Sequence, residues 1–305
     1  MATPRPLLVC VVGPTAIGKT ALSVAIAQEF STHILSADSR QFYKEMTIGT
    51  AVPSSEELLA APHHFIQTKS IFDPYSVGDF EREALETLKQ LFKEHAVVVL
   101  VGGSGLYIDA VVHGLDDFPE VPSEIRETLN TLYATKGIEP LQKELSRTDP
   151  VYFQKVDIHN AHRLIRALEV CRGTGRPYSS FLKKGTVARS FDVLYVGLTA
   201  ERSLIYERIN ARVDAMVASG LVEEARALYA HRDVNALQTV GYRELFDYFE
   251  GTLDLEEAIE AIKKNSRRFA KRQLTWLRKN DAIHWFDFPV DPSEVIQLIS
   301  IKKAR

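Results

Sequence analysis

Gly13-Pro14-Thr15-Ala16-Ile17-Gly18-Lys19-Thr20 fits the pattern G-x-x-x-x-G-K-[ST], and its flanks decide how it is read. An apolar run over residues 7–12 precedes it and a helical pattern over residues 21–30 follows. Strand, loop and helix in that order predict a phosphate-binding loop. Successive backbone N–H groups of such a loop converge, and the positive end of the next helix adds to them, so the hollow takes an oxyanion of phosphate type. Lys19 then reaches terminal phosphate oxygens while the Thr20 hydroxyl holds Mg2+. The loop predicts that a phosphate is held and leaves open which bond is broken.

Working outward, the later runs predict an α/β fold, a P-loop core whose mostly parallel sheet is flanked by helices. Residues 33–37 read as a second strand, 96–101 as a fully buried parallel strand, 191–198 as another and 284–288 as the last. A capping-box pattern from Ser76 to Asp79 opens an amphipathic helix over residues 80–94, with Phe80, Ala84, Leu88 and Leu91 on its core face. Between residues 116 and 188, Pro119, Pro122, Pro140 and Pro150 punctuate helical patterns and no strand-like run occurs. That stretch is expected to be an all-helical insertion, dividing the core into residues 1–115 and 189–305.

Composition sets outer bounds. The chain has 305 residues, 45% hydrophobic and 25% charged, which is an ordinary globular balance. A net charge of −3 argues against a general nucleic-acid binder, yet the average conceals basic stretches. Residues 162–189 carry seven Lys or Arg against one acid, and residues 263–279 carry eight with no acid, interleaved with Phe269, Leu274, Trp276 and Leu277. Positive charge beside aromatic surface suits single-stranded or loop RNA, and a basic amphipathic helix also suits a membrane surface. The apolar residues are needed for packing, which favours RNA. Two cysteines, Cys10 and Cys171, make neither a metal quartet nor a disulfide framework and are expected to be core thiols. No signal-type segment and no apolar run of about 18 residues is present, so a cytoplasmic enzyme, monomeric and free of the membrane, is expected.

Several residues are candidates for chemistry. Asp38 ends the second strand, where an open α/β sheet faces its ligand crevice, so it falls beside the phosphate loop; Asp-Ser is also ordinary turn chemistry. Pro62-His63-His64 invites a metal reading, but no Cys or third His stands nearby in the chain. Gly102-Gly103-Ser104-Gly105 is a second glycine-rich turn, read equally as a tight turn or as a ligand contact. Arg208 and Arg212 lie four apart and share a helical face, as a clamp on anionic groups or as surface ion-pair partners. Residues 238–243 are expected to begin another helix, and residues 255–279 to form a long one.

Taken together, these motifs resemble the tRNA dimethylallyltransferase family. The matching stretches are the phosphate loop, Asp38-Ser39-Arg40-Gln41-Phe42-Tyr43 with Ile48-Gly49-Thr50-Ala51, Val101-Gly102-Gly103-Ser104-Gly105-Leu106-Tyr107, His162-Arg163-Leu164-Ile165-Arg166-Ala167-Leu168-Glu169-Val170, Val240-Gly241-Tyr242-Arg243 and Ala270-Lys271-Arg272-Gln273-Leu274-Thr275-Trp276-Leu277-Arg278. Ile17 stands where the family usually has Ser, and Ser104 where it usually has Thr; backbone amides serve the first position and the hydroxyl survives at the second. The chain ends at Arg305 without the zinc finger that eukaryotic members often append, so the bacterial form is expected.

The resemblance implies prenylation of N6 of the adenosine next to the anticodon, with dimethylallyl diphosphate as donor and Mg2+ as cofactor. It implies Asp38 as general base, and Lys19, Thr20 and Arg212 as the groups that neutralise the departing diphosphate, with Arg208 a poorer match than Arg212. It further implies that tRNA is touched by Asp38, Ser39, Arg40, Gln41, Ser104, Arg126, His162, Arg163, Leu164, Ile165, Arg166, Gln238, Thr239, Val240, Gly241, Tyr242 and Arg243. The run Lys271, Arg272, Gln273, Leu274, Thr275, Trp276, Leu277 and Arg278 joins that set. The phosphate loop alone fits two rivals, a small-molecule or nucleotide kinase using ATP and a non-catalytic RNA-binding switch.

Overall fold

The computed structural model of the protein describes residues 5–182 and 187–304. The chain divides into two compact units, Met1–His113 with Ala188–Arg305 and Gly114–Val187. The first unit opens with β1 (Leu7–Val12), α1 (Lys19–Glu29), β2 (Ile34–Ser36), α2 (Ser55–Ala60), β3 (His63–His64), α3 (Val77–Leu91), β4 (Val97–Gly102) and α4 (Gly105–His113). The second unit contributes α5 (Ser123–Lys136), α6 (Glu139–Thr148), α7 (Pro150–Phe153) and α8 (Ala161–Thr174). The first resumes with β5 (Asp192–Thr199), α9 (Arg202–Ala218), α10 (Leu221–Leu228), α11 (Arg243–Phe249), α12 (Leu255–Leu277), β6 (Ile283–Asp287) and α13 (Pro292–Lys303).

The six strands pair in the order β3-β2-β4-β1-β5-β6, every pair parallel. β1 lies between β4 and β5, with Leu7 opposite Val97 on one side and Asp192 on the other. Helices cover both faces of the sheet, so the β1 run is apolar without alternation. Leu7, Val9 and Val11 pack with Leu22 and Ile26 of α1 and Val295 and Ile299 of α13. Leu8, Cys10 and Val12 face the opposite layer, with Phe80, Ala84 and Leu88 of α3. Because all strands run the same way, their carboxyl ends gather at one edge. The residue-13–20 loop, Asp38, the Gly103 turn, Ala200 and Phe288 all follow strand ends there.

Three expectations need adjustment. Residues 63–64 form a short edge strand that composition gave no reason to expect, since two residues carry no periodicity. Leu91 is only partly buried at the end of α3. Residues 238–242 do not begin a helix: a short 3-10 turn ends at Leu237, Gly241 holds φ 102°, and α11 starts at Arg243.

The second unit folds around Leu129, Leu141, Leu145, Leu164, Ile165 and Leu168. Asn160 caps α8 by accepting from Arg163 N, and Gly175 ends the helix in the left-handed region. Both cysteines are buried free thiols.

Candidate active site

The loop over residues 13–20 joins β1 to α1 as the sequence pattern requires. Gly18 caps α1 at φ 97°, a conformation that would strain an L side chain, and so lets the loop wrap tightly before the helix begins. Lys19 Nζ donates to Pro14 O at 2.8 Å, folding its ammonium over the loop. Burial pushes the Lys19 pKa down to about 8; the neighbouring Arg212 adds to that, and Asp38 pulls the other way.

α9 brings two guanidiniums to this loop because Ile205, Ile209 and Val213 face the core and set the helix rotation. Arg208 Nε donates to Ala16 O at 2.8 Å, and its guanidinium lies 4.1 Å from the Phe288 ring centre. Those contacts make Arg208 a brace for the loop backbone. Arg212 Nη1 donates to Thr15 Oγ1 at 3.4 Å. Burial lowers its pKa, while Asp38 and Glu57 act in the opposite direction.

Two cavities open at this edge. The first, about 760 Å3, is lined by Thr15 through Ala21, Ser36, Asp38, Glu57, Arg208 and Arg212. The second, about 550 Å3, is lined by Ser39, Arg40, Ser104, Gln238 through Gly241, Arg243, Arg272 and Trp276. Thr15, Asp38, Arg212, Phe269 and Gln273 line both. Asp38 Oδ1 accepts from Arg40 N at 3.0 Å, which is turn chemistry, and the same carboxylate stands on the wall common to the two cavities. The two readings of Asp38 coexist in one residue.

The neighbours of Asp38 are tied inward. Arg40 Nη1 donates to Asn235 O and Ala236 O at 3.2 and 3.1 Å. Gln41 Nε2 donates to Ala51 O at 2.9 Å, so its side chain braces the 47–51 loop and lines the first cavity only. Ser39 and Ser104 face each other across 3.4 Å between their hydroxyls, joining the turns that follow β2 and β4.

Gln273 is a buried strut. Its Oε1 accepts from Thr15 N at 2.9 Å and its Nε2 donates to Gly103 O at 3.0 Å, so one amide on α12 spans the phosphate-type loop and the Ser104 turn. The same residue also stands on the wall common to the two cavities. Leu277 is also buried, among the residues of the α3 layer. The rest of the 271–278 run splits by helical rotation: Arg272 and Trp276 line the second cavity, whereas Lys271, Leu274, Thr275 and Arg278 line a separate groove beside Tyr206. One helix cannot present all eight residues to one ligand.

Tyr242 is fully buried and has no face for RNA. Its hydroxyl donates to Glu224 Oε1 at 2.6 Å, and burial raises its pKa far above the usual phenol value. Glu224 also accepts from Thr47, Ile48 and Gly49 amides at 3.0, 2.8 and 2.9 Å. The pair pins the loop that supplies Thr50 and Ala51 to both cavities. Sequence reasoning missed Glu224 because its loop partner lies 175 residues away and no local signal marks it.

In the second unit Leu164 and Ile165 pack into its own core, so their side chains are not RNA contacts. Arg126 and Arg166 both donate to the buried carboxylate of Glu169. Arg172 makes two 2.7 Å bonds to Glu144. His162 and Arg163 are exposed. Arg189, counted with this basic stretch, belongs to the first unit and pairs within it with Glu81 at 2.8 Å. Lys183 and Lys184 lie outside the described residues. The basic surface is therefore smaller than the count of cations implied, because acids distant in sequence return to meet them.

Among the described residues no group of three or more His, Cys, Asp and Glu could hold a metal ion. His64 does gain a histidine neighbour through the fold alone, His33, whose Nδ1 lies 2.8 Å from its Nε2 and whose ring has His95 tilted against it. Thr20 on the first cavity offers a single hydroxyl donor, which fits a Mg2+ that keeps waters and binds chiefly to phosphate oxygens. Among the described residues no helix is long and apolar enough to cross a membrane.

Comparison with known proteins adds four findings. Residues 41–280 match the family described as IPP transferase. The chain is 57% identical over 295 residues to the tRNA dimethylallyltransferase of Christiangramia forsetii, covering 97% of this chain and 98% of that protein. It is 54% identical over 298 residues to the tRNA dimethylallyltransferase of Flavobacterium johnsoniae, 96% of each. The crystal structure of a full-length tRNA isopentenylpyrophosphate transferase from Bacillus halodurans matches with TM-score 0.74 at 38% identity, covering 98% of this chain and 97% of that one.

Proposed function

The chain belongs to the IPP transferase family, the tRNA dimethylallyltransferases, and from that membership and the site geometry we propose the following reaction. A dimethylallyl group moves from dimethylallyl diphosphate to N6 of the adenosine next to the anticodon of a tRNA. The observation that carries the reading is the wall shared by two cavities, on which Asp38 and Arg212 both stand. The first cavity receives the diphosphate and the second the turned-out adenosine, so donor and acceptor meet at Asp38.

The adenine amine is a poor nucleophile because its lone pair is delocalised into the ring. Asp38 takes one N6 proton as the N6–C1 bond forms. The C1–O bond breaks in the same exchange, and its electron pair leaves on the diphosphate. The loop amides over residues 13–20, Lys19 and Arg212 stabilise that charge where it develops. The Thr20 hydroxyl would hold a Mg2+, which would supply further neutralisation of phosphate charge. Lys19 leaves its contact with Pro14 O to meet the phosphate, since its ammonium is already inside the loop. Gln273 and the Glu224–Tyr242 pair keep the two cavities in register by bonding the loops that line them. The adenosine must leave its stack to enter the second cavity, at a cost of a few kcal/mol that contacts such as Trp276 and Phe269 offset. The enzyme acts in this reading as a cytoplasmic monomer.

The test is incubation with tRNA, dimethylallyl diphosphate and Mg2+, followed by nucleoside mass analysis. The expected product is adenosine heavier by one dimethylallyl group, with release of diphosphate. Consumption of ATP with no prenylated nucleoside would return the assignment to a kinase.

A further inference from the structure

α12 runs along the junction of the two reaction cavities, and its residues divide there by height. Ile262, Phe269, Gln273 and Trp276 share the helical face that lines the second cavity. Phe269 and Gln273 also line the first, whereas Trp276 does not. Trp276 is placed for the base alone, but Phe269 can meet both the base and the group being transferred. Among the described residues, Phe269 is the one aromatic ring on the wall common to both cavities. The core takes Ala270 and Gln273 from this part of the helix and leaves the Phe269 ring 38% exposed. Arg272 Cζ lies 5.7 Å from the ring centre, close to the limit at which a cation is held over an aromatic face, so the ring's attraction for positive charge is largely unused.

We propose that the Phe269 ring is a catalytic residue, which stabilises the positive charge that develops on the allylic carbons during prenyl transfer. The inference rests on the tRNA reaction proposed above. As the C1–O bond lengthens, charge appears on C1 and C3 of the dimethylallyl group before N6 has closed the new bond. The electron balance of the step is unchanged: the diphosphate takes the C1–O pair, Asp38 takes the N6 proton, and the ring forms no bond. The other functional groups on the shared wall are committed elsewhere. Arg212 is itself a cation and serves the departing diphosphate, and the Gln273 amide is held by Thr15 N and Gly103 O. The face of an aromatic ring attracts a cation without being a nucleophile, so it lowers the barrier and does not capture the prenyl group. Charge stabilised only as it develops raises kcat and leaves ground-state binding alone.

Replacement of Phe269 by mono-, di- and trifluorinated phenylalanines provides the test, because fluorine withdraws electron density from the ring face at nearly constant shape. The readouts are the single-turnover rate of prenylation at saturating donor and anticodon hairpin, and the Kd values of the hairpin and of inorganic diphosphate. The rate is expected to fall stepwise with each fluorine, by about tenfold across the series, with both Kd values unchanged. Phe269→Leu, which keeps an apolar side chain and removes the ring, is expected to lose about tenfold in the same saturated rate, where weakened stacking on the base does not enter. A rate that stays level across the fluorinated series, or a fluorine effect confined to the hairpin Kd, overturns this inference alone and leaves Phe269 a stacking residue. If the wild-type protein prenylates no hairpin and no full tRNA, the proposed reaction itself fails.

Discussion

The two cavities of the site are built differently. The first takes its anion-binding amides and Lys19 from one loop, lined from Thr15 to Thr20, to which Asp38, Arg208 and Arg212 are added from other segments. The second is assembled from residues 38–40, 49–51, 103–107, 209–221, 238–243 and 262–276, segments that meet only in the fold. An anion cradle made by one loop is set by local geometry. A cavity made by many segments depends on the bonds that join them, here Gln273, the Ser39–Ser104 pair and the Glu224–Tyr242 pair.

The sharpest way to break the comparison is at the one carboxylate that both cavities share. Asp38→Ala is expected to lower kcat by about 10²- to 10⁴-fold, the usual contribution of a positioned base. Diphosphate and tRNA affinities should survive nearly intact, because the anion is held by the 13–20 loop and the RNA by dispersed contacts. Equal loss of tRNA binding and turnover would make Asp38 a docking residue and would leave the base unassigned.

Gln273→Ala probes the strut between the cavities. It removes the acceptor of Thr15 N and the donor to Gly103 O inside a buried setting. The expected cost is about 2 kcal/mol, or about thirtyfold if all of it falls on the transition state. The comparison predicts that kcat suffers while the Kd for inorganic diphosphate alone changes little. A parallel loss of diphosphate binding would show that the first cavity also leans on long-range bonds.

The asymmetry between the cavities also decided what could be read before the fold was known. The 13–20 loop, the apolar β1 run and the position of Asp38 after β2 are local consequences of residue type, strand direction and turn chemistry. The α/β fold followed from the same kind of pattern. Sequence could rank Lys271 to Arg278 as a basic stretch, but only packing decides that Gln273 and Leu277 turn inward and that Lys271 and Trp276 face different sides of α12. One cation of α8 was overcounted for the same reason, since Glu144 of α6 meets Arg172 through helix packing, whereas the Arg166–Glu169 pair three residues apart was legible in the sequence.

Proton linkage sharpens the first cavity on its own. Lys19 must be cationic to hold phosphate, and burial pushes its pKa down to about 8 in the ligand-free protein, with Arg212 adding to the effect. A bound diphosphate raises that pKa again. Below about pH 8 the ammonium is already present, so affinity is flat; above it, binding must take up a proton and affinity falls. Between pH 7 and pH 9 the Kd for diphosphate is expected to rise about tenfold. Lys19→Arg, charged throughout, should remove this component, and a slope that persists unchanged would assign the proton elsewhere.

The smallest effect is the most discriminating for the second cavity. Tyr242→Phe deletes only the hydroxyl that donates to Glu224, while the carboxylate keeps its three amides from Thr47, Ile48 and Gly49. About 1 kcal/mol of stability should be lost, seen as a lower denaturant midpoint at an unchanged slope. Because the ring is fully buried, RNA affinity should fall no further than loosening of the 47–51 loop explains, a few-fold at most, and high-concentration RNA should restore the rate. A variant of undiminished stability with strongly weakened RNA binding would mean that Tyr242 reaches the nucleic acid after all, which requires the 238–243 turn to open. The second cavity would then be formed by its ligand, whereas the anion cradle of the first is formed by its own loop.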